Sequence, residues 1–195
     1  TIEDESFFYP KGEVGRTQVV ADAEQVIEGF KPHLDDVFMT QASADIKVKP
    51  IEPFREATSP VAFYQPGSPD GSRPGTYYVN TFNREELPSW QLAAITYHEA
   101  IPGHHMQVSI GQEKEGLPSF RKFIDYTAHS EGWGLYSEYL PKELGLYTEL
   151  YDGYGRLVME LLRACRLVAD TGIHYKRWTE EQAIQFLLDN MAINR

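Results

Sequence analysis

The stretch Tyr97-His98-Glu99-Ala100-Ile101-Pro102-Gly103-His104-His105-Met106-Gln107 carries a His-Glu pair followed by two further histidines. A helix presenting His-Glu and then a further His is the framework of many zinc hydrolases. The chemistry explains the residue types. Two neutral imidazoles hold the ion, and the Glu beside the first His takes a proton from the metal-activated water. The common spacing puts the histidines at i and i+4, about 6 Å apart along the axis. Here they fall at i+6 and i+7. On an unbroken α-helix, i+7 returns to nearly the same stripe about 10.5 Å away, and i+6 points about 120° off it. A regular helix therefore favours His105. Pro102 opposes regularity, because it has no N–H to give the carbonyl of His98, and Gly103 loosens the turn further. A non-α turn over about 100–104 would bring His104 round to His98. His104 is the expected second ligand, with His105 as the alternative.

The third donor is expected from a neighbouring helix. The stretch Ala128-His129-Ser130-Glu131-Gly132-Trp133-Gly134-Leu135-Tyr136-Ser137-Glu138 carries two carboxylates seven residues apart, which places them on one helix face. One can bind the ion while the other orients a ligand histidine from behind. His129 is a candidate for the same supporting role. Gly132 is expected to let other backbone come close.

Outward from these stretches, the chain from Ser89 onward reads as helical, at 89–112, 119–140, 147–172 and 179–190. Thr179 and Gln182 form a capping box for the last. Before Ser89, a helix over 17–39 is capped by Thr17, with Val19, Val20, Val26, Ile27 and Phe30 as its apolar stripe and Pro32 as its break. Short strands fit 46–51, 61–65 and 76–81. The turn-forming run from Gln65 to Gly75 makes a long hairpin loop between the last two. Strand 76–81 is a plausible edge along which a peptide adds by backbone pairing. The fold class is mostly α (α+β), with a small β-sheet near the N-terminal side.

The composition fits an ordinary folded domain, with 42% hydrophobic and 24% charged residues. A net charge of −11 without any basic run excludes a nucleic-acid surface, which needs clustered Lys and Arg. No apolar run reaches membrane-spanning length, and the signature of a signal peptide is absent. One cysteine, Cys165, allows no internal disulfide and reads as a small core residue.

Other candidates are weaker. Tyr77, Tyr78, Tyr151 and Tyr154 include candidate donors to a developing oxyanion, against the plainer reading of core packing. Tyr154 is the one kept as catalytic, and Tyr77 and Tyr78 as substrate-binding. His174, at a helix break, is a candidate catalytic contact to substrate or transition state. Arg163 and Arg166 can hold a substrate carboxylate, or else pair with structural acids such as Asp170. His33 reads as a surface residue.

The blocks HEAIPGHHMQ, SEGWGLYSE and RACRLVADTGIH, in that order, resemble the bacterial domain-of-unknown-function 885 family. Its members are viewed as zinc metallopeptidases. The Glu131-to-Glu138 spacing also resembles the ligand helix of thermostable carboxypeptidases and oligopeptidases, and the expanded His-Glu motif resembles that of dipeptidyl peptidase III. These likenesses imply a zincin-like helical core, one Zn2+ per chain, His98, His104 and Glu131 as ligands, and Glu99 as base. Members are longer, with a helical region before this segment and a Pro-Gly-Gln block after it. The resemblance thus implies that 1–195 is a single domain, the catalytic part of a longer helical metallopeptidase whose remainder is missing here. It also permits an exported bacterial protein.

The expected function is a zinc-dependent hydrolase cleaving peptide bonds, with a peptide or small amide as substrate. One alternative is a metal-dependent amidase or esterase on non-peptide substrates. Another is a non-catalytic metal-binding or structural domain, which gains if His105 joins His98, His104 and Glu131 in a closed four-ligand site.

Overall fold

Helix α3 (Ser89–Glu99) organises the fold, because it is apolar on nearly every side. Trp90 and each residue from Leu92 to His98 are buried. A helix without a polar face must lie inside, and α3 is surrounded by later helices, by α1 (Glu13–Phe30) and by the sheet. The computed structural model describes residues 4–83 and 86–191. Among these, the architecture is mostly helical with one small sheet toward the N-terminal half.

Helix α1 begins at Glu13 with Gly12 at its cap, so Thr17 lies inside the helix rather than capping it. Val19, Ala23, Ile27 and Phe30 form its buried stripe. Phe30 meets Tyr97 of α3 edge-on at 5.8 Å. Burying one such side chain contributes roughly 1.5–3 kcal/mol. The expected 17–39 helix is interrupted at Pro32. A 3-10 turn at Lys31–His33 leads into a short α2 (Leu34–Val37).

The strands are β1 (Ile46–Pro50), β2 (Ala62–Gln65) and β3 (Gly75–Val79), in the order β1-β3-β2. β2 and β3 form the expected antiparallel hairpin, and β1 runs parallel to β3. β3 is therefore the central strand and is buried throughout. The expectation that it forms an edge is corrected, because its pairing with β1 is a long-range contact that no local signal announces. The outer strands are β1 and β2.

The remaining helices are α4 (His104–Glu113), α5 (Ser119–Phe123), α6 (Thr127–Glu143), α7 (Leu150–His174) and α8 (Glu180–Asn190). The single helices expected at 89–112 and 119–140 are each two helices. The capping box of α8 is present: Thr179 Oγ1 accepts from the Gln182 N–H, and Gln182 Oε1 accepts from the Thr179 N–H. Cys165 is buried in α7. No described helix is long and apolar enough to cross a membrane.

Candidate metal centre

The extra residues of the His-Glu motif are taken up by a break rather than by a widened turn. Helix α3 stops at Glu99. Ala100 (φ −105°, ψ −110°) and Gly103 (φ −74°, ψ −134°) leave helical geometry, and α4 starts afresh at His104. Gly103 is required by space, since a Cβ there would overlap the carbonyl oxygens of Tyr97 and His98. The indole N–H of Trp133, on α6, donates to the Pro102 carbonyl at 2.9 Å. That bond ties the break to the helix carrying the carboxylates.

The break brings three donors together from three helices. One ligand atom each of His98, His104 and Glu131 lies within 4.8 Å of the others. His98 Nε2 is 3.4 Å from Glu131 Oε2, and His104 Nε2 is 3.7 Å from Glu131 Oε1. The two imidazoles meet nearly at right angles, with ring centres 4.6 Å apart. Zinc holds imidazole nitrogens at about 2.0–2.1 Å, so ligand atoms on one tetrahedral ion lie roughly 3–4 Å apart. The donor types and spacings fit a divalent ion of that kind.

The tautomers fit as well. His98 Nδ1 is 2.7 Å from Glu138 Oε1. An ionised carboxylate only accepts, so Nδ1 must be the donor, which leaves Nε2 for the cluster. Arg163 donates to the same Glu138 oxygen at 2.7 Å. Glu138 is wholly buried, and a buried carboxylate needs such partners. His104 is held by Gln107 through Nδ1, at 3.3 Å, again leaving Nε2 free. Burial pulls the His98 pKa down, but its bond to Glu138 and the charges of Glu99 and Glu138 outweigh it, so the pKa is raised. Burial, then the charge of His98, lowers that of His104.

Arg163, read from the sequence either as a holder of a substrate carboxylate or as a partner of a structural acid, pairs with Glu138 and also lines the cavity over the cluster. Arg163→Met should keep the packing but leave Glu138 with one partner. Metal affinity, measured by chelator competition, is expected to fall about 10–100-fold, the range for supporting residues around metal ligands. Unchanged affinity would reduce Arg163 to a space-filling part.

The glycine that admits close approach is Gly134, not Gly132. A Cβ on Gly134 would overlap the His98 ring, whereas one on Gly132 would meet open space. Glu99 is half-buried beside the cluster. Burial pushes its pKa up to about 7, against the pull of His98, with Glu131 adding to the rise and the Tyr64 backbone N–H opposing it. A cation in the cluster would pull it down again.

A cavity of about 930 Å3 opens over this group, lined by His98, Glu99, His104 and Glu131 and by Arg163 and Arg166 of α7. A second cavity, of about 420 Å3, meets it at Tyr64, His104 and Glu131 and has His129 in its wall.

His105 faces away from the cluster. Its Nδ1 lies 3.1 Å from Tyr64 Oη and its Nε2 3.0 Å from the Ala44 carbonyl, and it is almost wholly buried. His105→Ala should leave metal content unchanged. It should lower stability by about 1–3 kcal/mol, the cost of a buried group left unsatisfied, read in a denaturant titration. Loss of metal with intact stability would reverse the assignment of His104 and His105.

Several other candidates fall outside the cavity walls. Tyr77 is fully buried, with its hydroxyl 3.3 Å from Thr96 Oγ1. Tyr78 stacks on Phe63 at 4.9 Å. Both are core residues, so their substrate-binding reading is corrected: β3 is central and its side chains have no solvent face. Tyr154 packs edge-on against Trp90, and Tyr151 against Phe7. His174 is exposed at the end of α7, with Nε2 3.7 Å from Asp170 Oδ2. His33 is half-buried, 3.7 Å from Asp36.

Two site residues escaped the sequence reading. Gln107 had a signal, since it lies three residues after His104 and so on the same helix face. Tyr64 had none, because its place in both cavities depends on the strand order.

A helical α+β fold with a three-donor cluster under a cavity defines the class of this protein. The family model described as "Bacterial protein of unknown function (DUF885)" matches residues 2–195, and the chain belongs to that family. No curated protein matches it. Among solved structures, it is similar to a Colwellia psychrerythraea protein described as a "putative lipoprotein". The two share 37% identity with a TM-score of 0.95, over 99% of this chain and 33% of the other. The chain therefore spans about one third of that protein's length.

Proposed function

We propose that the chain carries the centre of a zinc-dependent peptidase. The observation that supports this most directly is the convergence of His98, His104 and Glu131 within 4.8 Å, with Glu99 in the same cavity wall. Zinc held by these three side chains would supply Lewis acidity, polarising a carbonyl and making water a nucleophile near neutral pH. The chain's own groups do the rest. Glu138 and Gln107 fix which nitrogen of each histidine faces the cluster. Glu99 takes the proton of an attacking water on its carboxylate and returns it to the leaving amine. The half-buried setting of Glu99 limits competing water.

Three donors leave a position open, which favours catalysis over a closed structural site. His105 does not complete a fourth corner, since both its nitrogens are engaged elsewhere. The description of the similar Colwellia protein favours an exported setting for this one.

The test is a panel of peptides, simple amides and esters, assayed with metal-depleted and zinc-restored protein, alongside elemental analysis. About one zinc per chain and zinc-restored peptide cleavage are expected. Turnover of esters or non-peptide amides alone would favour the hydrolase alternative. Zinc without turnover of any substrate would favour a binding role.

A further inference from the structure

The cavity of about 420 Å3 beside the cluster takes much of its wall from two places: helix α4, and the end of α5 with its connection to α6. Large apolar side chains stand open to water on that connection. Phe123 is 61% exposed, Ile124 48% and Tyr126 67%, and all three line the cavity. Hydrophobic residues scattered singly over a surface need no explanation, but a contiguous group in a cavity wall marks a binding surface. Helix α4 adds Val108 and Gly111 to the same lining.

Gly111 is the informative residue. It lies within α4, where glycine is a poor helix former. Packing does not require it, since a Cβ there would meet no atom within 4 Å, whereas Gly103 and Gly134 are pressed against backbone and against the His98 ring. The missing side chain at Gly111 leaves room, and that room is the cavity. The charged groups of the lining do not fill it. Lys122 donates its ammonium to the Gln112 carbonyl at 2.8 Å, and Arg121 and Asp125, of opposite sign, are both exposed. The cavity also adjoins the cluster, because His104 and Glu131 belong to its lining and to that of the larger cavity. A peptide bond placed over the cluster therefore has a neighbouring side chain at the mouth of this cavity.

We infer that the preferred substrate is a peptide with a bulky apolar residue, aromatic or branched aliphatic, directly beside the bond to be cut, and that its side chain seats in this cavity against Gly111 and Ile124. This deepens the peptidase reading and rests on it for the cleavage, while the side-chain seat is testable alone.

The probe is a pentapeptide of alanines, acetylated and amidated at its ends, with its central residue varied among phenylalanine, leucine, alanine, aspartate and lysine. It is titrated by calorimetry into the metal-free protein. The phenylalanine and leucine peptides should bind about tenfold more tightly than the other three, since burying one large apolar side chain is worth at least that factor. Two variants locate the seat. Gly111→Leu fills the cavity from α4 and suits the helix better than glycine does. Ile124→Asp places a charge in the apolar wall, at a half-open side chain whose backbone N–H keeps its bond to the Phe120 carbonyl. Each should abolish the tenfold preference. Zinc content should stay at the parent level in both, because neither residue is among the three converging donors.

Equal binding of all five peptides overturns the inference, as does binding of none, or a preference for the charged ones. A preference that survives both variants overturns it too, because the side chain then sits elsewhere. If one variant fails to fold, the other decides. Cleavage of the same peptides by zinc-restored protein is scored separately, and the cut should fall directly beside the bulky residue. Selective binding without cleavage refutes the hydrolase reading and keeps the seat. Cleavage without side-chain selectivity keeps the hydrolase and refutes the seat.

Discussion

Glu99→Gln is expected to retain its metal and to lose peptide hydrolysis by at least about two orders of magnitude, the lower range for a positioned general base. The amide keeps the size of the side chain and an oxygen to accept the Tyr64 N–H, so the local fold should persist. What disappears is a group that can take a proton. The neighbouring donors are unaffected, because Glu99 is not among the three converging side chains. Metal content and turnover should therefore separate in this variant. Turnover near the parent level, with zinc bound, would remove Glu99 from the proposed role.

Glu131→Ala is expected to do the opposite and empty the site. Glu131 is the only carboxylate among the three converging donors, and it closes the triangle from α6 by facing both imidazoles. Its side chain is 58% exposed, so its removal should hardly disturb packing, and the melting curve of the metal-free protein should stay put. Metal affinity should fall by more than the 10–100-fold typical of a lost supporting residue. Elemental analysis after gel filtration measures this directly. Full zinc occupancy in Glu131→Ala would exclude it as a ligand.

The parts of the site that depend on local chain geometry were legible in the sequence. Pro102 and Gly103 forbid a regular helix, and that alone made His104 a better partner for His98 than His105. The seven-residue step from Glu131 to Glu138 placed both carboxylates on one face, one toward the cluster and one behind His98. The parts set by long-range packing were not legible. Arg163 could have faced solvent or a partner acid, and only the packing of α7 against α3 and α6 shows that it meets Glu138. Gly132 and Gly134 look alike in sequence, yet only Gly134 lies under the His98 ring. The edge was assigned to the wrong strand, because β1 inserts beside β3 from a distant point in the chain. The break at 124–126 was missed for another reason: no proline or glycine marks it.

The interruption between α3 and α4 also frees the motif from angular bookkeeping. In a continuous α-helix each added residue rotates everything beyond it by about 100°, so two histidines share a target only at a few permitted spacings. Here Ala100 to Gly103 discard that phase. The direction of His104 is set instead by how α4 seats against its neighbours, with the Trp133 indole gripping the Pro102 carbonyl. Rotation and separation, which a single helix couples rigidly, become independent quantities at this junction. The distance from His98 to His104 is then governed by side chains that lie outside the motif, on α6.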